Sequence, residues 1–158
     1  MQFNEKQRFN QWWLWLLLLL VISNLIREFL QSSSEELSTL LFSAFPILLT
    51  ALLFLTMKLE TTINSEGIYV RFFPFHLKKK YYTWDQIDHC FIRDYQPIME
   101  YGGWGIRKTF SGKGTAYNVK GKKGLQLIFS NGDRLLIGTQ KAEELKEVLL
   151  ALEQMNET

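Results

Sequence analysis

The chain has 158 residues, a formal net charge of +2, and is 47% hydrophobic and 15% aromatic. That balance lacks the concentrated basic face that nucleic-acid binding needs, and the single cysteine, Cys90, rules out an intrachain disulfide. Apolar residues crowd before Lys58, so the average describes neither part of the chain.

In chain order, Met1 to Gln11 is polar and carries Lys6 and Arg8. Trp12 to Ile26, WWLWLLLLLVISNLI, reads as an apolar helix extending to Leu30. Trp12, Trp13 and Trp15 sit where an interfacial aromatic belt would lie. A signal peptide would show small residues at a cleavage site, and Ser23-Asn24-Leu25 is a poor match. An interfacial helix would keep a charged face, which Trp12 to Ile22 lacks. The link Gln31 to Glu36 offers capping-box spacing at Ser32–Glu35 and Ser33–Glu36. Leu37 to Met57 is then uncharged throughout, with Pro46 inside it. About 20 such residues, rising about 1.5 Å each, match a hydrocarbon core of about 30 Å. The sequence therefore predicts a transmembrane helical hairpin in residues 1–57, with helices over about 12–30 and 37–57. Lys6 and Arg8 before it, and Lys58, Arg71 and Lys78-Lys79-Lys80 after it, predict that both termini are cytoplasmic.

From Lys58 the period changes to that of strands. Lys58 to Asn64 and Gly67 to Phe73 flank Ser65-Glu66-Gly67, and Pro74 ends the second run. Ile87 to Asp94 reads as strand, and Tyr101 to Lys108 follows Tyr95-Gln96-Pro97. Gly124 to Phe129 and Arg134 to Gly138 flank Asn131-Gly132, a strong hairpin signal. Leu145, Val148, Leu149, Leu152 and Met155 follow the i, i+3, i+4, i+7 pattern of a helix over about 140–155 that covers a sheet. Thr139 can cap its start.

The two apolar spans, TINSEGIYVRFFPF, Tyr82 to Ile87 (YTWDQI), the closing hairpin and the final helix together resemble bacterial pleckstrin-homology-like membrane proteins. Tyr101 to Arg107, Ala116 to Val119 and the GLQL strand resemble one family of short proteins within that group. The resemblance implies an α+β membrane protein. Residues 58–158 would form a PH-like, strongly bent antiparallel sheet or barrel capped by the C-terminal helix. It implies a multi-pass protein of the bacterial cytoplasmic membrane and carries over no reaction. The basic first loop used for lipid by eukaryotic relatives is replaced by Ser65-Glu66-Gly67.

Enzyme signatures are missing. His76 and His89 lack metal-pair spacing with Cys90, and no cofactor or metal is expected. Asp85 and Asp88 fall on opposite faces of a strand, as two solvated residues would. Gly102-Gly103-Trp104-Gly105 lacks the Lys-Ser/Thr pair and the following helix of a phosphate loop, and reads as a tight turn or bulge. Trp104 serves either as core anchor or as exposed contact. No acid occurs between Tyr101 and Gly124, where Arg107, Lys108, Lys113, Lys120, Lys122 and Lys123 lie. The expectation is a membrane-anchored, non-enzymatic PH-like module that binds a protein or peptide partner at the cytoplasmic membrane face through Tyr101, Gly102, Gly103, Trp104, Gly105, Arg107, Lys108, Lys120, Lys122 and Lys123. Lys58, Lys78, Lys79 and Lys80 would face the membrane surface. Direct recognition of anionic lipid headgroups, and an accessory subunit of a membrane enzyme or transporter, are the alternatives.

Overall fold

The computed structural model describes residues 1–9, 12–31, 37–109 and 112–155. In chain order the elements are β1 (Phe3–Arg8), α1 (Trp12–Gln31), α2 (Leu37–Thr56), β2 (Lys58–Ile63), β3 (Gly67–Phe73) and β4 (Lys80–Thr83). After a 3-10 turn at Trp84–Gln86 come β5 (Ile87–Asp94), α3 (Pro97–Tyr101), β6 (Gly105–Thr109), β7 (Gly114–Asn118), β8 (Lys123–Phe129), β9 (Arg134–Thr139) and α4 (Ala142–Ala151). They divide into two units. One joins Met1–Arg8 to Lys58–Thr158, and the other is Phe9–Met57.

The first unit contains two sheets. One has the order β1-β2-β3-β4, and the other β5-β8-β9-β7-β6. The polar N-terminal segment becomes β1 because Phe3, Glu5 and Gln7 alternate inward while Asn4, Lys6 and Arg8 face out. It pairs antiparallel with β2 in a register that sets Lys6 opposite Glu60 and Arg8 opposite Lys58. Glu60 in turn stands opposite Arg71 of β3. Arg71 Nε donates to its carboxylate at 2.9 Å, and Lys58 Nζ lies 3.1 Å away. Burial alone would raise the Glu60 carboxyl, but Arg71 and Lys58 outweigh it and hold the group below its ordinary value.

The β2–β3 turn closes at the glycine the sequence marks. The Asn64 side chain accepts the N–H groups of Glu66 and Gly67, an Asx turn. The Asn131-Gly132 turn likewise joins β8 to β9, with Gly132 at φ +85°. Between the sheets lies a core of fully buried Phe3, Leu59, Ile63, Ile68 and Phe72 from one sheet, with Leu125, Leu127 and Ile137 from the other. Polar side chains also bridge the sheets. Gln7 Nε2 donates to Gly138 O at 2.6 Å, and Thr139 Oγ1 donates to Glu5 Oε2 at 2.7 Å.

The expected strongly bent antiparallel sheet or barrel of PH type is corrected in two ways. There are two sheets, and the second contains a parallel pair, β7 beside β9, with Thr115 opposite Leu135. The physical reason is the crossover: β8 and β9 form the antiparallel hairpin, and β9 then lies against β7 on its far side.

The C-terminal helix starts at Ala142 and buries Leu145, Val148 and Leu149, while Leu152 is half-buried. Thr139 does not cap it. Its hydroxyl accepts Lys141 N–H at 3.0 Å while donating to Glu5. Leu149 is fully buried, so Leu149→Ala is expected to cost about 2–5 kcal/mol, read as a lowered urea midpoint at unchanged slope.

In the second unit α1 and α2 are each 20 residues long, and Phe9 packs on Phe54 with ring centroids 5.9 Å apart. Large apolar side chains such as Leu16, Leu20, Phe42 and Leu48 stand exposed on these helices. The expectation of a transmembrane hairpin, and with it a multi-pass protein of the cytoplasmic membrane, is corrected here. Among the described residues no helix is long and apolar enough to cross a membrane. A span needs about 20 consecutive, predominantly apolar residues. In α1 the run breaks at Ser23 and Asn24, whose side chains bond back to Leu20 O, and Arg27 and Glu28 follow. α2 carries Pro46 inside it, with Thr50 bonded to Pro46 O and Thr56, its last residue, bonded to Leu52 O. The topology drawn from the lysine flanks loses its basis with the span. The capping-box pairs Ser32–Glu35 and Ser33–Glu36 lie outside the described residues.

Candidate functional site

Facing residues of neighbouring strands share one side of a sheet. Phe91, Gln126, Leu136, Ala116 and Arg107 are successive partners across the second sheet, so they form one row on the face away from the inter-sheet core. The next row on that face begins Arg93, Gly124 and Gly138. The glycines leave a depression. A Cβ at Gly138 would meet Tyr95 Oη at 3.1 Å, so the tyrosine lies directly over the backbone there. Tyr95, Tyr101, Ala116 and Leu136 fill this depression as a small second core. Burial pushes the Tyr95 hydroxyl up to about 12.

Over this core sits α3, a helix of 5 residues. Pro97 opens it with the fixed φ that suits a first helical position. Gly102, at φ +71°, closes it: Gly102 N–H bonds to Ile98 O and Gly103 N–H to Pro97 O, each at 2.9 Å. The glycine cluster is thus a helix C-cap leading into β6. Arg93 of β5 holds the helix in place. Its Nη2 donates to Glu100 Oε2 at 2.9 Å and to Tyr101 Oη at 3.2 Å, and its Nε to Gln126 Oε1 at 3.1 Å. Burial works to raise the Glu100 carboxyl, but Arg93 and the Gln96 N–H hold it below its ordinary value.

The outcome is an open cavity of about 550 Å³ whose walls include Pro97, Ile98, Met99, Glu100, Trp104 and Lys122. Ile98 is 62% exposed and Met99 81%. Trp104 is half-buried in the wall. Lys122 reaches this place because its carbonyl accepts Tyr95 N–H at 2.7 Å.

The residues expected to bind a partner separate as follows. Trp104 and Lys122 line the cavity, and Gly102, Gly103 and Gly105 shape the turn beside it. Arg107 is close by, its Nε donating to Trp104 O at 3.0 Å. Tyr101 is buried and belongs to the small core. Lys108 follows Arg107 along β6 and so points to the other face. Lys120 is exposed, its carbonyl accepting Gln140 Nε2, and Lys123 lies 3.7 Å from Glu143. Ile98 and Met99 were missed by sequence reasoning. The signal was a proline followed five residues later by a glycine, which brackets a short helix.

Of the four lysines expected at a membrane surface, Lys58 is taken up by Glu60 and Lys80 Nζ donates to Tyr117 Oη at 2.9 Å. Lys78 and Lys79 are exposed. Next to Lys80, His76 Nδ1 accepts Phe72 N–H at 3.3 Å and its ring meets Tyr117 edge-on at 5.1 Å. Burial, and then the Lys80 charge, lower its pKa below 6.5. The unfolded chain therefore binds this proton more readily than the folded one. Stability is complete above the ordinary histidine pKa and falls as pH drops through about 6.5 toward the lowered value. Comparing urea midpoints at about pH 7.5 and 5.5 checks this, and His76→Gln is expected to reduce the difference. Cys90 is buried and its thiol is pushed up to about 12 by burial, so it is not a reactive nucleophile. Comparison with protein-family models, curated proteins and solved structures finds no match to this chain.

Proposed function

We propose that the chain is a non-enzymatic binding module that holds a protein or peptide segment in the cavity beside α3. One observation carries this reading: exposed Ile98 and Met99 stand with Trp104 and Lys122 around an open hollow fixed by the Arg93–Glu100 pair. Such a site combines apolar anchoring area with a polar rim, the anatomy of a binding surface. Tryptophan is among the residues most enriched where truncation costs binding.

Panning a library of displayed random peptides on the full chain tests the reading. The expected result is a set of peptides whose affinity falls about tenfold or more on Trp104→Ala and on Met99→Glu. Met99 is exposed, so its variant keeps the fold and guards against a Trp104→Ala variant that unfolds. Selected peptides that bind both folded variants like the parent, or no selected peptide at all, would overturn it.

A further inference from the structure

Resting on the groove reading above, we infer that the bound segment is acidic and extended and adds as a strand to the outer edge of β6. β6 ends the second sheet, and among the described residues no strand pairs with its far side. Half of the backbone N–H and C=O groups of such an edge point away from the neighbouring strand and can hydrogen-bond an added one. Trp104 directly precedes β6, so a segment running along the edge meets the α3 cavity at one end. There one apolar side chain of the segment fits between Met99 and Trp104.

Charge selects the occupant. Arg107 and Lys108 are both exposed on β6, one toward each face of the sheet. Among the described residues neither makes an ion pair, nor does Lys122. No acid lies between Tyr101 and Gly124. Two adjacent carboxylate side chains on an added strand would meet Arg107 and Lys108 across the two faces, as favourable cross-strand pairs. A second copy of β6 would bring like charges together, so the edge disfavours self-pairing.

The test uses the full chain and three short synthetic peptides. The first has a central Glu-Glu pair flanked by Val and Thr, the second has Lys-Lys in its place, and the third is the Glu peptide N-methylated at alternate residues. The Glu peptide is expected to bind, to slow amide exchange along β6, and to lose about tenfold in affinity between about 50 and 500 mM salt. The Lys peptide should bind at least about tenfold more weakly, and the N-methylated one should not bind. Arg107→Ala combined with Lys108→Ala should remove the preference for Glu. No binding of the Glu peptide, equal binding of Glu and Lys peptides, or tolerance of N-methylation overturns strand addition. So does β6 protection by self-association or by phosphatidylglycerol vesicles in place of the peptide. If panned peptides depend on Met99 yet ignore charge and N-methylation, the groove stands and the acidic strand falls. If they ignore Met99, the groove itself falls.

Discussion

A chain beginning at Lys58 is expected to lose its cooperative unfolding transition, although it keeps eight of the nine strands among the described residues. β1 is the reason. Phe3 is fully buried, and truncating a buried phenylalanine costs about 3–5 kcal/mol. Removing β1 also strips partners from Gly138 O, Thr139 Oγ1 and the Gln140 N–H, at about 0.5–3 kcal/mol for each hydrogen bond lost, two of them to the Glu5 side chain. Those losses together match a total stability of about 5–15 kcal/mol. The loss comes from β1 and not from the intervening helices. Arg8 and Lys58 face each other in register, so an Asn-Gly turn in place of Phe9–Met57 can join them as a tight hairpin. That shortened chain should unfold in a single transition in denaturant, whereas the chain from Lys58 should not.

Gly114→Ala is the second large effect expected. Gly114 has φ +81°, and a Cβ there would come within 2.1 Å of Arg134 O, where β7 and β9 start side by side. The backbone strain is about 1–3 kcal/mol, and the displaced neighbour adds about 1–3 more. The clash is with backbone, which cannot turn aside as a side-chain tip can. Gly112→Ala supplies the comparison. Its φ is +75°, but among the described residues no non-neighbouring atom lies within 4 Å of a Cβ there. It should show the backbone strain alone, so the gap between the two variants in thermal or urea unfolding isolates the contact with Arg134.

Elements were legible where local chemistry agreed with tertiary need. Asn64 to Gly67 and Asn131-Gly132 carry turn residues that only those backbone shapes require. Leu145, Val148 and Leu149 carry the helical period and are buried as that period implies. β1 looks merely polar in the sequence because two of its inward side chains are Glu5 and Gln7. Their partners, Thr139 and Gly138, lie far along the chain. No local pattern announces a buried carboxylate that is satisfied from such a distance. The parallel β7–β9 pair escaped for a related reason, since pairing between strands separated by a hairpin leaves no mark in either strand. The apolar runs of α1 and α2 were legible as helices at nearly their observed bounds. Reading them as spans treated Pro46, Ser23 and Asn24 as incidental.

The site was partly legible. Trp104 and the basic stretch were singled out, and the structure sets Trp104, Lys122 and Arg107 near one another. Tyr101 was grouped with them, but its ring belongs beneath α3. Lys108 was grouped with Arg107, but adjacent strand residues point to opposite faces. The walls contributed by Ile98 and Met99 depend on α3, which is too short for periodicity to reveal.

Amide hydrogen exchange on the full chain, with and without a peptide selected by panning, tests the central claim most directly. The groove reading predicts slowed exchange concentrated at residues 98–101, the α3 positions that carry an amide hydrogen, and abolished by Met99→Glu; strand addition extends it along Gly105–Thr109. Protection that leaves those residues unchanged and appears elsewhere, such as at the Asn131-Gly132 turn, would contradict it.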